Sequence, residues 1–189
     1  KEKAVEVSYI GVSENGVINF GQIPSLIKSN TKAIVITHAS NVTGNITDLK
    51  KYGDFCRNNN LLFVVDASQT AGAFDIDMKE MNIDVLCFTG HKSMLGPQGT
   101  GALCVRDEIY IRPFMVGGSG THSYDEFQPD KMPTRLEAGT LNSHGIAGLH
   151  ASIDYILRNK MEKLTNKALE LARRFYDGVT KFPEVKKQT

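Results

Sequence analysis

The sequence has few cysteines, no long apolar run, no repeat and no excess of charge of one sign, and each absence excludes something. The three cysteines, Cys56, Cys87 and Cys104, are odd in number and widely spaced, with no Cys-x-x-Cys pair. That rules out a disulfide framework and fits a reducing cytoplasm. The longest apolar stretches, such as residues 61–65, are far too short to cross a bilayer. Lys plus Arg total 22 against 21 Asp plus Glu, a net charge of +1. Such a balance lacks the basic footprint of a nucleic-acid binder. No repeat or low-complexity tract is visible. No Gly-x-Gly-x-x-Gly follows a strand pattern, which argues against a dinucleotide site. The N-terminus shows neither a signal-peptide pattern nor an initiator methionine, so the chain is expected to be a piece of a longer protein.

What remains is ordinary globular material: 189 residues and 20.8 kDa, 41% hydrophobic and 23% charged. That suffices for one domain, or one domain with a helical extension. Residues 4–10 alternate in a strand-like way, and residues 24–28 suggest a short helix. Ala33-Ile34-Val35-Ile36-Thr37 is short, apolar and β-branched, the mark of a buried strand. Thr47 is placed to cap a helix running to about Asn59, with Leu49, Tyr52, Phe55 and Cys56 on one face. Residues 61–66 read as a second strand, residues 79–81 as a short helical turn, residues 83–88 as a third strand and residues 101–105 as a fourth. Alternation of strand and helix predicts right-handed crossovers in a parallel sheet, and continuous apolar strands predict helices on both faces. The expected class is therefore α/β, a mostly parallel sheet with flanking helices. Residues 107–142 are irregular and long for a loop, so a functional or interface arm is expected there. Helical spacing then returns twice, through Ile146, Leu149, Ile153 and Ile156 and through Met161, Leu164, Ala168, Leu171, Phe175 and Val179.

Open α/β sheets bind ligands at the carboxyl ends of their strands. Here the strand ends read His38-Ala39-Ser40-Asn41, Asp66-Ala67-Ser68-Gln69 and Thr89-Gly90-His91-Lys92. Each is weak alone, since Lys92 could be a surface lysine, Asp66 a turn cap and Asn41 a turn residue. On one rim they make a set. A lysine there can form a Schiff base with an aldehyde. A carboxylate at the end of an apolar strand calls for a cationic partner, such as a protonated pyridine nitrogen. Asn41 and Gln69 offer amides, and Thr89 with His91 can hold a phosphate. Pyridoxal phosphate carries every complementary group.

These segments, together with Arg135-Leu136-Glu137-Ala138-Gly139-Thr140, resemble the class V aminotransferase family of pyridoxal-phosphate enzymes of fold type I, in its cysteine desulfurase and selenocysteine lyase branch. The spacings, 25 from Asn41 to Asp66 and 26 from Asp66 to Lys92, fit that family, and the likeness covers roughly residues 33–157. The resemblance implies the large, cofactor-binding domain of an aspartate-aminotransferase-like fold, truncated. Residues 1–157 would be part of that domain, and residues 158–189 a helical extension towards a C-terminal domain not in the chain. It further implies Lys92 as the Schiff-base lysine and Asp66 as the partner of the pyridine nitrogen. Gln69 and Asn41 would lie near the phenolate oxygen and the substrate, and Thr89 and His91 on the phosphate. Thr140 would reach the phosphate in the partner subunit of a homodimer.

Ser68 and Thr89 depart mildly from the family's usual alanine and serine. By the family comparison, a glycine-rich phosphate loop and a ring-stacking histidine belong upstream, and a sulfur-carrying cysteine and a carboxylate-binding arginine downstream. The implied activity of the full-length protein is cysteine desulfuration in the cytoplasm, giving alanine and sulfur for an acceptor protein, with the 189-residue piece itself inactive. Selenocysteine cleavage and transamination are the alternatives within the family, and a noncatalytic dimerisation scaffold is the alternative outside it. No membrane or nucleic-acid partner is expected. His38, His122, His144 and His150 lack ligand spacing and read as structural, with no metal site expected. The three cysteines read as small buried hydrophobes. An ion pair between Arg135 and Glu137 is also conceivable.

Overall fold

The structure, a computed structural model, describes residues 5–121 and 124–185. Four strands form one sheet in the order β1 (Ala33–Thr37), β2 (Leu62–Asp66), β3 (Val85–Thr89) and β4 (Gly101–Val105). β1, β2 and β3 run parallel, and β4 returns antiparallel along β3. The sheet is thus mostly parallel, as the apolar strand runs predict.

Alternate strand residues point to opposite faces. On one face Ile34, Ile36, Phe63, Val65 and Leu86 form the core with Leu49, Tyr52 and Cys56 of α2 (Leu49–Asn58) and Ile23 of α1 (Ile23–Leu26). Phe63 and Val65 are fully buried; burying side chains of this size contributes roughly 1.5–3 kcal/mol each. Phe20 meets the rings of Tyr52 and Phe55 edge-on at 5.0 and 5.6 Å. Asp84, just before β3, is buried. It accepts the Phe63 amide at 2.7 Å and pairs with Arg106 at 3.0 Å, joining β2 to the chain leaving β4.

Several local expectations are corrected. The cap of α2 is Asp48, which accepts the Lys51 amide at 3.2 Å; the Thr47 hydroxyl instead donates to the Thr37 carbonyl at 3.2 Å. Residues 67–84, between β2 and β3, contain no α-helix and cross over by turns. One of these turns is held by Asp77, which accepts the Lys79 and Glu80 amides at 2.8 and 2.9 Å. Residues 5–10 form no strand, and only an isolated bridge joins Val12 to Ile18. The second sheet face is also open among the described residues. Val35 is 68% exposed, Leu103 44% and Leu62 38%.

Residues 107–142 are irregular apart from a 3-10 turn, Thr134–Leu136. They lead to two helices, α3 (Ser143–Asn159) and α4 (Met161–Val179). The break falls at Lys160, whose φ of +62° lies in the left-handed region. Helix α3 buries Leu149 and Ile156, whereas α4 has no buried residue. The start of α4 is tied to the sheet side by the Thr165 hydroxyl, which donates to the Ala73 carbonyl at 2.5 Å.

Candidate active site

The register places the site residues. Asp66 ends β2, opposite Thr37 on β1 and Cys87 on β3. Thr89 ends β3 two residues beyond Cys87, so Asp66, Cys87 and Thr89 share the open face. Neighbouring strands are about 4.8 Å apart, which sets the Asp66 carboxylate and the Thr89 hydroxyl on adjacent rails of one rim. Asp66 is exposed and accepts the Ser68 amide at 2.9 Å. The Thr89 hydroxyl meets His91 Nδ1 at 2.7 Å. That contact turns the ring towards the strand end and pairs a hydroxyl with an imidazole.

Lys92 follows on the exposed turn closed by the Leu95 amide, which donates to the Lys92 carbonyl at 2.8 Å. Its ammonium has no hydrogen bond or ion pair among the described residues. Two contacts fix this turn against the one after β2. The Ser93 hydroxyl donates to the Gln69 carbonyl at 3.4 Å. Gly72, with φ of +84°, lies so close that a Cβ would sit 2.6 Å from the Ser93 carbonyl oxygen. The turns after β2 and β3 are therefore held together by one side-chain hydrogen bond and one close backbone contact.

Asn41 lies at the exposed tip of the turn after β1. The Ser40 hydroxyl accepts the Val42 and Thr43 amides at 3.2 and 3.1 Å, and the Gly44 amide closes on the Ser40 carbonyl at 3.1 Å. Beneath it His38 is buried, its ring edge-on to Phe74 at 6.3 Å, and burial holds its pKa below the ordinary 6.5. Thr140 is exposed in the irregular arm and makes no hydrogen bond to the other candidate residues. The fold thus brings Asp66, Gln69, Thr89, His91 and Lys92 to one rim, puts Asn41 on the neighbouring turn and leaves Thr140 apart.

Arg135 does not pair with Glu137. It donates to the Asp130 carbonyl at 2.6 Å, pairs with the Asp130 carboxylate at 3.2 Å and stacks over Tyr110 at 4.4 Å. Asn142, passed over in the sequence, caps α3 by accepting the Gly145 amide at 3.0 Å and donates to the Gly99 carbonyl at 3.4 Å. An Asn ahead of a helical pattern is the signal that could have found it.

Of the cysteines, Cys56 is buried, and burial, with Asp84 adding to it, pushes its thiol up to about 12. Cys87 and Cys104 are only partly buried, Cys104 packing against the core, which corrects the reading of all three as buried. The Cys87 thiol is raised by burial, then by Asp66 and Cys104. Neither Cys56 nor Cys87 is poised as a thiolate nucleophile. Among the described residues no group of three or more His, Cys, Asp or Glu could hold a metal; His122 lies outside them.

A carboxylate at a parallel-strand end, a hydroxyl–imidazole pair one strand away and an unpaired amine on the next turn make a set suited to a cofactor with a basic ring nitrogen, a phosphate and an aldehyde. Sequence comparison places the chain more closely. It belongs to the aminotransferase class-V family, whose family model matches residues 1–189. It is 33% identical over 179 residues to the cysteine desulfurase IscS of Vibrio campbellii, covering 95% of this chain and 41% of that protein. The crystal structure of the cysteine desulfurase CsdA from Escherichia coli superposes with a TM-score of 0.82 at 29% identity, over 91% of this chain and 44% of CsdA. SspA in complex with cysteine superposes with a TM-score of 0.68 at 29% identity, over 86% of this chain and 45% of SspA. The chain spans less than half the length of each of these relatives.

Proposed function

We propose that the protein carrying this chain is a pyridoxal-phosphate-dependent cysteine desulfurase that releases alanine from L-cysteine and passes on the sulfur. The observation that carries the reading is the rim itself, where two adjacent parallel strands end in Asp66 and in the Thr89–His91 pair, with Lys92 on the turn beyond. Family membership and the likeness to desulfurases support it, and SspA, solved with cysteine, supports the substrate.

The residues fit the cofactor by the chemistry of their donors. Thr89 and His91 would hold its phosphate, Lys92 its aldehyde, and Asp66 a proton on its ring nitrogen. Gln69 and Asn41 would face the ring oxygen and the substrate. Bound there, pyridoxal phosphate would supply a sink for the electron pair left at the substrate Cα. Lys92 would also be the base that moves the substrate Cα proton. The Asp66 carboxylate is worth most as charge builds, so it acts on the rate more than on affinity.

Residues 1–157 would be part of the cofactor-binding domain and residues 158–189 a helical link to a further domain. Thr140 would serve the phosphate of a second subunit in a homodimer, the sulfur would pass to an acceptor protein, and the free cysteines suit a cytoplasmic setting. No described helix is long and apolar enough to cross a membrane. The test is to supply the complete protein with pyridoxal phosphate, L-cysteine and a dithiol reductant that releases the transferred sulfur as sulfide, and to measure alanine and sulfide. Equal amounts of both, lost in Lys92→Ala, are expected. Alanine formation unaffected by Lys92→Ala would refute the assignment.

A further inference from the structure

The arm of residues 107–142 has no strand and no α-helix among its described residues to hold its shape, only the short turn Thr134–Leu136. Without a ladder or a helix, much of its order comes from side chains reaching backbone groups. One side chain does this three times. The Gln128 amide nitrogen donates to the Glu137 carbonyl at 2.7 Å and to the Thr134 carbonyl at 2.9 Å, and its oxygen accepts the Gly117 amide at 3.3 Å. A fourth bond follows from that closure, the Gly139 amide donating to the Gly118 carbonyl at 2.8 Å. The far side is pinned separately, by Arg135 on Asp130 and Tyr110. Gln128 therefore ties the outgoing Gly117–Gly118 segment to the returning Glu137–Gly139 segment, immediately before Thr140. It is half-buried and not part of the sheet core.

We propose that Gln128 is a positioning residue, which sets the placement of Thr140 by clamping the two segments of the arm together. The inference rests on the reading that Thr140 reaches a cofactor phosphate. Gln128 touches no cofactor itself. Its amide fits the task because it both donates and accepts: the two carbonyls need a donor, and the Gly117 amide needs an acceptor.

The test is a titration of the complete apoprotein with pyridoxal phosphate, followed by absorbance, in wild type, Gln128→Met, Gln128→Glu, Thr140→Ala and the Gln128→Met/Thr140→Ala double variant. Met keeps the volume and removes every hydrogen bond. Glu keeps the acceptor for Gly117 and removes the two donations. Each of the three single variants is expected to raise the half-saturating concentration about tenfold, the scale of one or two net hydrogen bonds. The double variant should bind like Thr140→Ala alone, because without the threonine hydroxyl the clamp has nothing to deliver.

A hydrogen-bond role for packing alone would make the two losses multiply, and that result would overturn the proposal. So would wild-type binding by Gln128→Met or Gln128→Glu beside a weakened Thr140→Ala, which leaves the Thr140 reading standing. Unchanged binding by Thr140→Ala would remove that reading, and this inference with it.

Discussion

The backbone contact at Gly72 makes the site sensitive to a small change. Gly72→Ala would place a Cβ 2.6 Å from the Ser93 carbonyl oxygen, 2.8 Å from its carbon and 2.9 Å from the Met94 nitrogen. All three are backbone atoms, so no flexible side chain can give way. The φ of +84° adds its own penalty for any residue with a Cβ. A strained backbone conformation of this kind costs roughly 1–3 kcal/mol. Relief of the contact needs the two turns to separate by a good fraction of an ångström. That movement pulls the Lys92 turn away from the Asp66 turn, and about 1 Å of misplacement in a site can cost on the order of a hundredfold in rate. The expected result in the complete protein is a stability loss of about 2–3 kcal/mol by equilibrium denaturation. A fall in kcat/KM of between ten- and a hundredfold should accompany it. A Gly72→Ala protein with wild-type stability and turnover would refute the claim that this contact fixes the two turns.

Asp84→Ala leaves the Phe63 amide buried without its acceptor and Arg106 without its partner; a loss of about 2–3 kcal/mol by denaturant titration is expected, with Arg106→Ala costing less because Arg106 is partly exposed. His38 has a pKa lowered by burial, so the unfolded chain takes up the proton first and stability falls as pH drops below 6.5. His38→Leu should flatten that part of the profile, measured as the wild-type minus variant difference between pH 7.5 and 5.5. Cys56, raised from 9.0 to about 12, contributes stability that is full below pH 9 and lost as pH rises towards 12; alkylation mapped at pH 8 should leave it unmodified in the native protein and label it in denaturant. Asp66→Ala should lower turnover far more than fold stability, and equal turnover with an unchanged pH profile would remove its role at the ring nitrogen.

The sequence was most informative where local pattern and tertiary role coincide. β1 to β3 are continuous apolar runs, and the polar residues that end them fall on the rim because the strands are parallel and adjacent. The likeness to a known family then followed from the same residues. The second sheet face was not legible: Val35, Leu62 and Leu103 are apolar as for a doubly covered sheet, and an apolar run reads the same whether or not something lies over it. The α2 cap was misplaced by one residue because Thr47 and Asp48 are both good caps, and only the fold shows the threonine hydroxyl engaged with Thr37. The Gln128 clamp was invisible for a related reason. Its partners are the backbone groups of Gly117, Thr134 and Glu137, which no side-chain pattern marks.

The central claim is that Lys92 is the amine that holds the cofactor. It is tested most directly by loading the complete protein with pyridoxal phosphate, reducing with borohydride to fix the cofactor to its amine, and mapping the modified peptide by mass spectrometry. One label per chain on Lys92 is the predicted result. A label on another lysine, or none at full cofactor occupancy, would contradict it.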